Sequence, residues 1–194
     1  MAYTALMQIS GLHRRTVIVS ALAALAALAF VVRFGLTLEA LQYMALVAIL
    51  SWASAEDLRS RTIPNPSIIA AVAVRAAYFA ILAMGGSFDA GACLYYCASG
   101  LGVGVALVLF GLAFERVTGR EGMGGGDVKL YAVSGLYLGA EGAALVILVS
   151  CVLALLAAFL TKNSRGGESG LARTLPFGPA ITAAFVLIAL ITLR

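Results

Sequence analysis

Charged side chains are scarce in this sequence. Asp, Glu, Lys and Arg make up 11% of its 194 residues, whereas hydrophobic residues make up 62%, and the mean hydropathy is +1.04. A soluble domain carries roughly a quarter of its residues as charged types. The composition therefore excludes a soluble domain and predicts a protein that lies in a lipid bilayer.

Two further patterns are absent. The three cysteines, Cys93, Cys97 and Cys151, lie inside apolar runs and form no CxxC pair, which excludes the usual zinc and dithiol motifs. The 13 basic residues are scattered singly between apolar runs, despite a net charge of +4. Without a basic stripe, we expect no nucleic-acid partner.

Long apolar runs dominate what is present, and they lack the period-2 alternation of a membrane barrel. Since only helices and closed barrels satisfy their backbone in a bilayer, the sequence predicts an all-α, polytopic membrane helix bundle. Windows of about 20 apolar residues give seven candidate spans, which are 16–34, 36–56, 66–84, 88–113, 127–139, 142–161 and 175–193.

The fifth span is too short for an ordinary crossing. Asp127 to Ala140 gives about 21 Å of helix, against a hydrocarbon core of about 30 Å. Glu39 to Asp57 gives about 27 Å by the same arithmetic. We therefore expect Asp57 and Asp127 to lie in the same half of the membrane, with Asp127 recessed below its surface.

The distribution of Lys and Arg predicts the orientation through the positive-inside rule. With the N-terminus in the cytoplasm, only Arg33 and Arg194 fall outside, and Arg75 lies within the third span. The basic residues that fall inside are Arg14, Arg15, Arg59, Arg61, Arg116, Arg120, Lys129, Lys162, Arg165 and Arg173.

The first polar motif, DLRSRTIPN, follows the second span from Asp57 to Asn65. Asn65 and Pro66 suit the N-cap and first position of the next helix. Asp57 has no such local explanation, because an acid at a helix C-terminus opposes the helix dipole. It is either a solvated interfacial carboxylate or a functional group.

The second motif, GMGGGDVK, runs from Gly122 to Lys129, and within it Gly124, Gly126 and Asp127 form a G-x-G-D pattern. The glycines would permit positive φ angles and close approach of a second backbone, or would simply form a flexible loop. Two carboxylates brought together can share one proton and act as an acid and a base.

These two motifs, together with LPFGP at 175–179, resemble the type IV prepilin peptidase family from about residue 40 onward. The resemblance implies catalysis by Asp57 and Asp127 in a six-helix peptidase core, residues 36–194, preceded by an N-terminal segment, 1–35, with one extra helix for packing or insertion. It also implies a set of residues that shape the site or bind substrate, which are Arg59, Arg61, Pro64, Asn65, Gly124, Gly126, Lys129, Pro176, Gly178 and Pro179.

The resemblance further implies an aspartyl endopeptidase of the bacterial inner membrane that uses no metal or cofactor. Its partners would be membrane lipids and prepilins, whose short basic leader it removes at the cytoplasmic face. The larger members carry a segment with paired CxxC motifs and also N-methylate the product. Because this sequence has no such segment, we expect no methylation, as in the small peptidases of tight-adherence (Flp-type) pilus systems.

Other basic residues have simpler interpretations. Lys129 is two positions from Asp127 and so faces away from it on a helix, toward lipid or a neighbouring loop. Arg59 and Arg61 are expected to anchor to anionic lipid or to contact substrate. Arg75 would be costly inside the membrane unless it reaches the interface or finds carbonyl groups.

Two non-peptidase alternatives remain open. Membrane acids can relay ions in a transporter component, although no Asp or Glu lies near the middle of any span. The chain could also be a noncatalytic scaffold of a secretion or pilus apparatus. If it is a peptidase, substrate could complete the site, so the free carboxylates need not touch.

Overall fold

The computed structural model describes residues 21–119, 122–163 and 177–192. All regular elements within them are α-helices, as predicted. The first is α1, Ala21–Phe34, and the others are α2, Leu38–Ser60, α3, Asn65–Met84, α4, Ala90–Thr118, α5, Gly125–Asn163, and α6, Gly178–Thr192.

Helices α2 to α5 are long and apolar enough to cross a membrane, judged by length and composition. Large apolar side chains also point outward, as a lipid-facing surface requires. On α4, for example, Leu94, Leu101 and Val117 are 71%, 71% and 86% exposed. The chain is therefore an all-α membrane bundle.

Helix α5 contains a break at Gly139, where φ is 74° and ψ is 179°. A side chain is strongly disfavoured there, because φ is positive and an added Cβ would lie 2.6 Å from the Tyr95 hydroxyl oxygen. The helix end leaves carbonyl groups without helical partners, and the Tyr43 hydroxyl donates to one of them, the Tyr137 carbonyl, at 3.0 Å.

At this break α5 folds back on itself. The hydroxyl oxygens of Tyr131 and Ser150 are 2.7 Å apart, whereas a straight helix would separate these residues by about 28 Å. The segments 125–138 and 140–163 are therefore two antiparallel helices joined at one residue. The predicted short fifth helix and its separate successor are confirmed as helices.

The core lies between α2, α5 and α6, where aromatic rings meet. Tyr43, Tyr137 and Phe185 are each at most 2% exposed and lie in mutual ring contact. Phe30 of α1 stacks on Tyr43 with ring centroids 5.6 Å apart, so the first helix packs on this core. The arrangement fixes α2 and α6 side by side, which positions the site.

Candidate active site

Asp57 lies at the C-terminal end of α2 and is only 6% exposed. The backbone N–H of Gly178, the first residue of α6, donates to its Oδ2 at 2.9 Å. A helix N-terminus stabilises a negative charge. Sequence reasoning found only the unfavourable dipole of α2, and the structure supplies a favourable one from α6.

Gly178 has no room for a side chain. A Cβ there would lie 2.9 Å from Oδ2 and 3.1 Å from Cβ of Asp57. The close approach brings the start of α6 directly against the carboxylate. Gly178 is therefore a contact residue of Asp57, with Pro179 following in the first turn of α6.

Asp127 lies in the first turn of α5, where its backbone N–H donates to the Gly124 carbonyl at 3.0 Å. The side chain is half-buried, and a Cβ on Gly124 would lie 3.3 Å from its Oδ2. Burial and, to a lesser extent, the negative charge of Asp57 act on this carboxylate. Within the described residues no hydrogen bond joins the two carboxyl groups, but they share one end of the bundle.

Two contacts bind the first motif to the second. Lys129 Nζ donates to Asn65 Oδ1 at 2.8 Å. A Cβ on Gly126 would lie 3.1 Å from Cβ of Ile63, so this glycine admits the Ile63 side chain. The loop after Asp57 is thereby held against the turn that carries Asp127, and Lys129 reaches a neighbouring segment.

The predicted helix cap at Asn65 is wrong by one residue. Pro64 occupies the N-cap position, no side chain caps this helix, and Asn65 is already its first residue. The Asn65 side chain is instead an acceptor for Lys129. The backbone restriction that Pro imposes on the residue before it does not prevent Asn65 from starting the helix.

The positive φ angles that the second-motif glycines would permit are not adopted. Among the residues that the structure describes, the glycines with positive φ are Gly35, Gly86, Gly119 and Gly139, and none lies in the motif. Gly125 and Gly126 are already helical. The contribution of Gly126 is steric, since it admits Ile63, whereas a Cβ on Gly125 would have nothing within 4 Å.

The remaining predicted residues are Arg59, Arg61, Pro64 and Pro176. Arg59 is exposed in the last turn of α2. Arg61 ends that helix in the left-handed region at φ 55°, and its N–H donates to the Asp57 carbonyl. Pro64 lies at the N-cap of α3, and Pro176 lies outside the described residues.

A further contact that was not predicted joins α2 to α6. Ser54, one turn before Asp57 on α2, and Thr182, one turn after Gly178 on α6, have hydroxyl oxygens 2.7 Å apart. Ser51, Ser54 and Asp57 recur every third position in a largely apolar helix, and this polar stripe could have indicated the contact. The described residues hold no group of three or more His, Cys, Asp or Glu arranged for a metal ion.

The fold and these contacts define a polytopic helical membrane protein that gathers two aspartates at one end of its bundle. Residues 44–159 match the type IV leader peptidase family, which is more than half of the chain. The chain belongs to the type IV leader peptidase family.

Individual relatives carry the printed name prepilin leader peptidase/N-methyltransferase. The protein from Neisseria gonorrhoeae is 36% identical over 77 residues, covering 40% of this chain and 25% of the relative. The one from Pseudomonas aeruginosa is 39% identical over 71 residues, covering 37% and 24%. The one from Bacillus subtilis is 30% identical over 159 residues, covering 80% and 58%.

The match therefore spans about a quarter of the Neisseria and Pseudomonas relatives, and somewhat over half of the Bacillus protein. No solved structure matches the chain.

Proposed function

We propose that this chain is an aspartyl endopeptidase that removes the leader of prepilins, with Asp57 and Asp127 as its catalytic pair. The observation that carries the proposal is the meeting of three separate segments at one end of the bundle. Gly178 contacts Asp57, Ile63 packs on Gly126, and Lys129 bonds to Asn65. The family and the names of its members support a prepilin as the substrate.

The surroundings of the two acids favour different roles. The Oδ2 atom of Asp57 accepts an N–H from the first residue of α6, so this carboxyl group is held as an acceptor at a helix N-terminus, which stabilises negative charge. Asp127 is half-buried and also feels the negative charge of Asp57, and burial and this charge both favour its protonated form. We therefore assign Asp57 as the base and Asp127 as the acid.

The reaction follows from these roles. Asp57 takes a proton from a water molecule, whose oxygen attacks the scissile carbonyl carbon while Asp127 gives its proton to the carbonyl oxygen. The tetrahedral intermediate then collapses. Its C–N bond breaks, the leaving nitrogen takes the proton held by Asp57, and a hydroxyl proton of the intermediate returns to Asp127.

The open surface near Asp127 suits an extended substrate. Gly124 and Gly125 are exposed, and a Cβ on Gly125 would meet nothing. A peptide backbone could therefore lie close to this turn without side chains in between. We place this end of the bundle at the cytoplasmic face of the bacterial inner membrane, with the N-terminus also inside, because ten Lys and Arg residues then fall inside and two outside.

The proposal is confined to cleavage. The relatives' printed name includes an N-methyltransferase, but this sequence contains no CxxC pair. We propose that the chain cleaves without methylating the new N-terminus.

The test is co-expression with a prepilin that carries a basic leader, followed by measurement of leader removal. Asp57→Asn and Asp127→Asn should each abolish processing, whereas Glu56→Gln should not. Glu56 is the matched control because it adjoins Asp57 but points about 100° away around the helix. Full processing by either Asn variant would refute the dyad and favour a noncatalytic scaffold.

A further inference from the structure

Toward the end of the bundle opposite to the aspartates, Arg75 of α3 is only 4% exposed. Its Nη1 donates to Gln42 Oε1 at 2.9 Å, and its buried Nε has no hydrogen-bond partner among the described residues. A guanidinium carries five N–H groups and stays ionised. Arg75 therefore keeps a full positive charge in a largely apolar bundle.

Aromatic rings surround this charge. Cζ of Arg75 lies 4.4 Å from the ring centroid of Tyr96, 4.7 Å from that of Phe79 and 5.1 Å from that of Tyr137. These faces attract a cation and hold the guanidinium in place. They carry no formal charge, so they do not replace a counter-anion.

The guanidinium lies close to the helix ends. It contacts Phe79, which is five residues before the end of α3 at Met84, a distance of about 7 Å along the helix axis. Long basic side chains reach toward the membrane interface in this way. The charge is thus at a depth that a lipid headgroup can reach.

A polar pocket of about 110 Å³ connects Arg75 to the surface. Its base is lined by Arg75, Phe79 and Tyr96, and its rim by Glu39, Ser87 and Asp89. Both rim carboxylates are exposed, although Asp89 also accepts an N–H from Gly91 at 2.8 Å. A cation at the base and two anions at the rim complement a group that carries both charges.

An apolar groove of about 370 Å³ shares Arg75 and Phe79 with this pocket. It runs between α3 and α4, two consecutive helices that do not pack closely on each other. Its lining on α3 extends from Val72 to Ala83, about 16 Å. An apolar lining over this length suits the acyl chain of a lipid.

We propose that the polar pocket and the apolar groove together bind one phospholipid with a phosphoethanolamine headgroup. The phosphate lies at Arg75, where a charge-assisted hydrogen bond and the positive charge stabilise it. The primary ammonium donates hydrogen bonds to Glu39 and Asp89, and an acyl chain fills the groove. The quaternary ammonium of a choline headgroup has no N–H to donate. The site should therefore prefer an ethanolamine headgroup to a choline headgroup.

Native mass spectrometry of the purified full chain tests this by titration with lipids of identical chains. Phosphatidylethanolamine should bind about tenfold more tightly than phosphatidylcholine or phosphatidylglycerol, the ratio that one charged hydrogen bond supplies. Free phosphoethanolamine should bind more weakly than the whole lipid. Equal affinity for the three lipids, a preference for phosphatidylglycerol, or equal affinity for the free headgroup would each overturn the proposal.

Variants separate the two halves of the site. Glu39→Gln should weaken phosphatidylethanolamine selectively, and Ala80→Phe should obstruct the groove and weaken all three lipids about tenfold. Ala77→Phe is the matched control, because Ala77 is exposed on the same helix but lines neither the pocket nor the groove. These positions are exposed, so the test does not depend on the folding of an Arg75 variant. The inference would be contradicted if Ala80→Phe left lipid binding unchanged. It would also be contradicted if an apolar helical peptide at equal concentration displaced the bound lipid.

Discussion

Replacement of Gly178 by Ala should damage catalysis out of proportion to the single methyl group that it adds. The new Cβ would lie 2.9 Å from Asp57 Oδ2, closer than such atoms normally approach. Because Asp57 is 6% exposed, its carboxylate has little space to move, and either it or the start of α6 must shift. The 2.9 Å hydrogen bond from Gly178 N–H is then lost or distorted.

The size of the effect follows from that bond. A hydrogen bond to a charged group is worth about 1.5–3 kcal/mol, and about 1.4 kcal/mol corresponds to a factor of ten. If Asp57 acts as the ionised base, kcat/KM for leader removal should fall about 10- to 100-fold. The assay is cleavage of a purified prepilin by detergent-solubilised enzyme, normalised to the folded fraction, with Tm measured in parallel.

Gly111→Ala is the matched control. A Cβ at Gly111, in the interior of α4, would meet nothing within 4 Å, so activity should be unchanged. Retention of full kcat/KM by a folded Gly178→Ala variant would refute the assignment of Asp57 as a carboxylate held by α6.

Three further predictions concern other contacts. Lys129→Met and Asn65→Ala should each lower kcat/KM. In a double-mutant cycle the double variant should lose less activity than the two single variants together, with a coupling free energy of about 0.5–1 kcal/mol. Strictly additive losses would show that the 2.8 Å bond does not position the site. Gly139→Ala should lower the free energy of unfolding, measured by chemical denaturation, by about 1–3 kcal/mol because of its positive φ. Adding Tyr95→Ala to this variant should remove only the clash with the Tyr95 ring, so the cost of the positive φ should remain. Mass spectrometry of the cleaved product should find a free, unmethylated N-terminus, and the added mass of one methyl group would contradict the proposal of cleavage alone.

The sequence predicted the limits of a helix well where polar or charged residues interrupt an apolar run. The short distance from Asp127 to Ala140 predicted a separate fifth helix, and the structure breaks the chain at Gly139. The first motif likewise marked the end of α2, which runs to Ser60. These features depend on residues that are neighbours in the chain.

The contacts between helices could not be predicted in the same way. Most of these helices are apolar around their whole circumference, so no periodic pattern indicates which face points inward. The bonds from Gly178 to Asp57 and from Lys129 to Asn65 depend on that rotation. The boundary at Asn65 was wrong by one residue because two adjacent positions were each compatible with a helix start.

The bond between Gly178 and Asp57 also has a consequence for biosynthesis. It joins residues that are 121 positions apart, in the second and the last helix of the described chain. During translation Asp57 therefore enters the membrane long before its backbone donor exists. The acid acquires its final surroundings only after α6 has been made and has docked beside α2, so a nascent or truncated chain holds the aspartate without the environment that we propose for catalysis. Inserting the last helix would thus act as the step that switches a newly made molecule on.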